Sequence, residues 1–132
     1  MARWLVFLLL ASLTWADAIR VEVRDNEVWL IQNGQAKQLT RDGKSKLQAL
    51  LSVPGDRIAY YEQCIQGENC IPSVVILDLE GQRLEAFQPQ PAALGQPETC
   101  ASILNIRWVW ADTVIGVECH KNPSLSEYVE ID

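Results

Sequence analysis

Basic charge, histidine and long apolar runs are what this chain has least of. Lys and Arg number 11 against 17 Asp and Glu, a formal charge of −6. That balance argues against a nucleic-acid or anionic-membrane binder, which would carry a basic stripe. His120 is the only histidine, so an imidazole-based metal or acid–base site has one side chain to draw on. No C-x-x-C pair, Gly-x-Ser-x-Gly elbow, phosphate-cradling Gly-rich loop or nucleotide fingerprint is present, and no cofactor is indicated. The apolar run at residues 4–10 is well short of the roughly 20 residues that span a bilayer. What is there is an ordinary globular balance, 48 % hydrophobic and 21 % charged, unlike a disordered or collagen-like chain.

Residues 1–18, MARWLVFLLLASLTWADA, have the three parts of a secretory signal. Arg3 is the positive start, residues 4–13 the apolar centre, and Ala16-Asp17-Ala18 an A-x-A cleavage site. No Cys follows the site, so a lipid anchor is not indicated. Cleavage removes Arg3 and Asp17 together and leaves 19–132 at the same net charge. The expected location is periplasmic or extracellular, with no membrane contact once the signal is gone.

Export decides how the cysteines read. Cys64, Cys70, Cys100 and Cys119 all lie in the mature part, and an even number in an oxidising compartment predicts two disulfides. Four cysteines allow three pairings. One is favoured by local structure: RIAYYEQC and IPSVVILDL have strand composition, and pairing them across the loop IQGEN sets Cys64 opposite Cys70. Cys100 and Cys119 are then left for each other. A zinc site at Cys119-His120 is the sharper alternative. Adjacent strand residues point to opposite faces, and no ligand spacing supports it.

Nearly everything after Ala18 reads as strand. IRVEV alternates, Asp25-Asn26 turns, and Asn33-Gly34 between VWLI and AKQLT is a strong hairpin signal. RDGKSK is a polar loop. KLQALLSV fits one helical turn or a strand, and Pro54-Gly55-Asp56 breaks it. VVILDL leads through Glu80-Gly81 to RLEAF. QPQPAALGQPETC, with three of the six prolines, is expected to be a loop without regular structure. ILNIRWVW, a turn at Ala111-Asp112, TVIGVEC, the loop HKNPSLS and EYVEI complete the chain. The class is all-β and antiparallel.

A repeat runs beneath this pattern: strand, Pro-Gly-Asp or Ala-Asp turn, strand, longer loop, strand, Gly turn. Repeat 1 covers about 47–87 and repeat 2 about 101–132, preceded by a β segment at 19–40. Val28 and Val75 are 47 apart, Val75 and Tyr128 53, a period suited to a propeller blade. The string VWLIQNGQAKQLTRDGKSKLQALLSVPGDRIAYYE resembles the repeat of TolB-like, WD40-like β-propellers, with its Gly turn, Gln-Leu-Thr closure and Ser-Pro-Asp-Gly-x-x-Ile-Ala turn. This chain departs at the turn, where Val53 is inserted, Gly55 and Asp56 are reversed, and Leu51 stands for the usual Trp. The resemblance implies propeller-like four-stranded blades, about two of them, whereas closed rings need about four to eight. A longer protein, ring completion by copies, and a small disulfide-stapled sandwich of two sheets are the alternatives. Taken as complete, the chain favours the sandwich.

Candidate chemistry is sparse. His120 with Ser124, Ser126, Asp112 or Glu118 suggests a Ser–His hydrolase, but without an oxyanion turn a loop-capping role for 120–124 is preferred. Asp25, Asp42, Asp56, Asp78 and Asp112 fit turn positions, where a carboxylate bonds its own backbone, better than a calcium loop. Trp108 suits the core; Trp110, beside a turn, suits exposure. Trp110, Glu118, His120 and Asn122 are therefore the candidate binding surface. The expected function is a non-enzymatic exported module that binds a protein or another copy of itself through edge strands and loops. The alternative is the amino-terminal propeller part of a larger exported enzyme such as a peptidase.

Overall fold

Two dipeptides turn the first forty residues back on themselves. Asp25, Asn26, Asn33 and Gly34 all have positive φ, between 52° and 71°, as type I′ hairpin turns require. They connect β1 (Arg20–Arg24), β2 (Glu27–Gln32) and β3 (Gln35–Gln38) into an antiparallel meander, with Arg24 opposite Glu27 and Gln32 opposite Gln35. This computed structural model describes residues 19–63, 72–89, 92–93, 96–97, 100, 102–109, 114–122 and 125–131. The signal segment 1–18, the Cys64–Cys70 pairing and Trp110 lie outside the described residues.

A second meander follows, β4 (Lys46–Leu51), β5 (Ile58–Glu62), β6 (Ser73–Leu77) and β7 (Arg83–Phe87). The ambiguous segment after Lys44 is thus a strand. It carries a bulge between Leu47 and Leu50, where Gln48 takes φ 51°. At the Pro-Gly-Asp turn, Ser52 Oγ donates to Asp56 Oδ1 at 2.9 Å and accepts from Arg57 N at 3.1 Å. The inserted Val53 is displaced outward, 89 % exposed, so the hydroxyl hub absorbs the extra residue.

The β6–β7 turn is tighter. Asp78 Oδ1 accepts from Glu80 N and Gln82 N. Gly81 has φ 88°, and a Cβ there would lie 2.7 Å from the Leu39 carbonyl oxygen. Gly81→Ala is expected to cost about 2–3 kcal/mol, the left-handed penalty plus a backbone overlap. Gly55→Ala, also at positive φ but with nothing within 4 Å, should cost only about 1 kcal/mol. Urea midpoints of the two variants check this; equal losses would remove the role of the Leu39 contact.

Beyond Phe87 the chain makes a two-residue ladder, β8 (Ala92–Ala93) with β9 (Gln96–Pro97), in the stretch expected to lack regular structure. Pairing this short needs no apolar alternation, so no periodicity announces it. The third meander is β10 (Ser102–Val109), β11 (Val114–Asn122) and β12 (Leu125–Ile131). Here too the strands outrun expectation. Residues 120–122 and 125–126, read as loop, belong to the ladder, and a register shift between His120 and Asn122 takes up the odd residue. Backbone pairing is indifferent to the polar side chains that suggested a loop.

Alternation along β5 and β6 divides the interior into two cores. Ala59, Tyr61, Val74 and Ile76 pack with Ile103, Ile106, Ile115, Val117 and the Cys100–Cys119 disulfide. Ile58, Tyr60, Val75 and Leu77 face the other way, against Val28, Leu30 and Leu39. The middle sheet is therefore covered on both faces, which is why IAYY and VVIL are continuous apolar runs. Three stacked layers replace the expected sandwich of two. The segment 19–40 forms a sheet of its own because its two I′ turns pair it with itself. The described residues are all-β and antiparallel, without a helix.

Candidate functional site

Of the candidate surface residues, Glu118, His120 and Asn122 fall on β11 of the last sheet. Val117 and Cys119 of β11 face the core, so Glu118, half-buried, stands on the outward face. His120 follows at the next position of the same parity. In the ladder, Asn105 and Tyr128 flank Glu118, while Ser102 and Ser126 flank His120. Asn122 pairs with Leu125 beyond the register shift. The backbone ladder thus sets Ser102 and Asn105 of β10 and Ser126 and Tyr128 of β12 beside Glu118 and His120 of β11. The sequence had nominated only Ser126 among these partners, because Ser102 and Asn105 come from a strand separated by a turn. Among the described residues no group of three His, Cys, Asp or Glu is placed to hold a metal ion.

A second polar cluster, buried and unannounced by any motif, joins the first sheet to the middle one. The Lys46 side chain is wholly buried at the start of β4. Its Nζ donates to Lys44 O at 2.9 Å, to Asn26 O at 3.2 Å and to Asp42, and lies 3.3 Å from Glu27. Glu27 also accepts from Thr40 Oγ1 and, at 2.6 Å, from Gly43 N. Thr40 Oγ1 in turn accepts from Val28 N. Burial alone would raise the Glu27 carboxyl. The bonds from Thr40, Gly43 and Lys46 outweigh it and hold the group below its ordinary range. Asp42 behaves alike: desolvation raises it, and bonds from Lys46 and the Lys44 amide bring it down. The polar loop RDGKSK is therefore an inter-sheet clasp.

Deeper in the same interface Tyr60 is 1 % exposed. Burial, reinforced by the nearby Glu62 charge and opposed by Arg83, pushes its hydroxyl up to about 12. The folded state keeps this proton where the unfolded chain, near pH 10, has lost it. Stability is consequently intact below about pH 10 and falls as pH rises toward 12, by about 2–3 kcal/mol in all. Tyr60→Phe should flatten that alkaline limb in denaturation measured across the window. An unchanged limb would mean another group carries it.

The seam between the middle and last sheets is stitched by amides. Gln63 Nε2 donates to Ile103 O at 2.6 Å and its Oε1 accepts from Ile103 N at 3.3 Å, imitating a strand residue. Gln48 accepts from Ile106 N at 2.8 Å and donates to Asn105 Oδ1. Trp108, partly buried as its core role predicts, donates to Leu50 O and lies under Arg57 at 5.0 Å. These bonds satisfy the backbone groups of Ile103 and the Ile106 amide on the outer edge of β10.

On the first sheet, Val28 and Leu30 point inward, which places Arg20, Glu22, Arg24, Trp29, Ile31 and Ala36 on the outward face. Trp29 and Ile31 are half-buried, and Arg24 lies over the Trp29 ring at 5.2 Å. No protein-family model, curated protein or solved structure matches the chain.

Proposed function

We propose that the chain is an exported, non-catalytic binding scaffold of propeller type, which engages a protein through the outward faces of its first and last sheets. The observation that carries this reading is the stack itself. Each main sheet is a simple meander in chain order, β4 lies against both β1 and β10, and the middle sheet is sealed between its neighbours. Serial packing of meanders with their first strands together supports the propeller resemblance. It also leaves each flanking sheet with a second face, on which half-buried apolar residues (Trp29, Ile31, Val109) stand among charged ones. Sheet faces of this mixed character suit a non-obligate protein interface.

Photoreactive residues at Ile31 and Val109, with the exposed turn residue Val53 as control, test the reading in the exporting cell. Adducts to protein from the two face positions, and not from Val53, are expected. Absence of face adducts, or equal labelling from Val53, would overturn it.

A further inference from the structure

We propose that Asn33 is a site of spontaneous covalent modification, at which the Gly34 backbone nitrogen attacks the Asn33 side-chain amide and the turn passes through a cyclic imide to aspartate and isoaspartate. The step balances with water as the only co-reactant. A bond forms between Gly34 N and Asn33 Cγ, and ammonia leaves with the side-chain nitrogen and the proton from the Gly34 amide. Water then opens the ring at either carbonyl. Breaking the new bond restores the main chain with an aspartate. Breaking the original peptide bond routes the main chain through the side chain as isoaspartate, longer by one methylene.

Position within the turn makes the nucleophile available. In the hairpin that pairs Gln32 with Gln35, Asn33 and Gly34 are the two central residues, both at positive φ. The turn's own bond joins its first and fourth residues, which leaves the Gly34 N–H outside the ladder. Gly34 has no side chain to crowd the ring, and a Cβ there would meet nothing within 4 Å. Residues 32–37 are all exposed, so the tip is free to rotate into the attack geometry.

Other positions fail the same criteria. Asn26 sits in the same type of turn but one place later, so its nucleophile would be the Glu27 N–H, which closes that turn on Arg24. Asn105 is followed by Ile106, whose N–H is held by Gln48 Oε1 at 2.8 Å. Asn122 precedes Pro123, which has no N–H. Asp42-Gly43 is the corresponding aspartyl pair, but Gly43 N donates to Glu27 at 2.6 Å and Asp42 is engaged by Lys46. Asn69 lies outside the described residues.

The consequence falls on β3, which pairs with β2 alone at the edge of its sheet. Leu39 N donates to Val28 O at 2.8 Å, so by alternation Lys37 and Gln35 are the next donors toward the tip. A type I′ turn accepts aspartate in place of asparagine. Isoaspartate does not fit it, because the extra methylene breaks the register between Gln32 and Gln35. β3 then frays from the tip, while the Leu39 end, buried in the core and against Gly81, stays in place.

The folded protein, held in warm, mildly alkaline buffer and sampled over time, tests this by peptide mass spectrometry. Trypsin releases residues 25–37 as one peptide that carries both Asn26 and Asn33, and fragment ions assign the amide-to-acid mass gain to one or the other. Conversion at Asn33 is expected to outrun Asn26 and Asn105 by on the order of tenfold or more, with isoaspartate formed beside aspartate. Hydrogen exchange of the aged protein should show protection lost at Gln35 and Lys37 and kept at Leu39. Asn33→Gly retains a turn of the same type without the amide and should keep its protection under the same treatment. Conversion only after unfolding in urea, equal rates at Asn26 and Asn33, or an isoaspartyl form with β3 fully protected would overturn the inference.

Discussion

Lys46→Met is expected to lower unfolding stability by about 3–5 kcal/mol, the cost of removing one partner from a buried ion pair. The ammonium is wholly buried and satisfies four groups: the carbonyls of Asn26 and Lys44 and the carboxylates of Asp42 and Glu27. Methionine fills much the same volume, so packing is a minor part of the loss. The penalty comes from two carbonyls and the Glu27 carboxylate left in the inter-sheet space without their cation. Glu27→Gln in the Lys46→Met background removes that stranded charge and should recover part of the stability.

Acid should act on the same clasp, and its sign follows from the direction of the shifts. Glu27 and Asp42 are both held below their ordinary values of 4.5 and 3.8. Their contribution is present above those values and is lost as pH falls through the lower folded-state values. Wild-type stability should therefore decline on acidification more steeply than that of Lys46→Met, in which much of the shift is gone. Urea denaturation at neutral pH and at about pH 3 measures both effects. A neutral-pH loss below about 1 kcal/mol would mean that the clasp behaves like a surface pair and that apolar packing alone joins the first two sheets.

Replacing Cys100 and Cys119 together by Ala should cost about 3 kcal/mol, the loop-closure value for a crosslink spanning 19 residues. The bond lies inside the core between the middle and last sheets, with both residues 1 % exposed. Cys119 sits on β11 opposite Ile103, and Cys100 precedes β10, so the crosslink holds the start of the last meander against its central strand. The loss should be local before it is global. Native-state hydrogen exchange is expected to show amides of β10 and β11 losing protection first, while β1–β3, attached through the other core and the clasp, hold theirs. Uniform loss across the three sheets would show one cooperative unit; a global change below about 1 kcal/mol would mean the unfolded chain gains little freedom from the cut.

Much of the fold is legible because its causes are local. Asn33-Gly34 and Asp25-Asn26 adopt left-handed backbone cheaply, and each commits two strands to antiparallel pairing without help from elsewhere. The continuous apolar runs at 58–61 and 74–77 announce strands with no solvent face. The candidate surface is legible only in part. Glu118 and His120 stand two residues apart on one strand, as alternation reads them, but Ser102 and Asn105 come beside them through a register and a bulge that no local pattern specifies.

The buried polar groups were not legible at all. Lys46 sits in a polar stretch that reads as solvated loop, and two of its partners, Asn26 and Glu27, lie about twenty residues upstream. Gln48 and Gln63 look like ordinary surface amides, yet they close the edge of a strand 40 to 58 residues away. A charged or amide side chain carries no sign of its own burial. Its fate depends on whether distant groups arrive to satisfy it.

The amino-acid sequence alone determined that this chain is all-β and antiparallel, and where several of its turns fall. Those properties depend on φ preferences and on alternation between neighbours, which operate within a few residues. Only the tertiary structure decided that there are three stacked main sheets, that the middle one has no free face, and that a lysine clasp and two glutamines hold the stack. These depend on contacts across tens of residues, whose free energy exists only once the sheets have met.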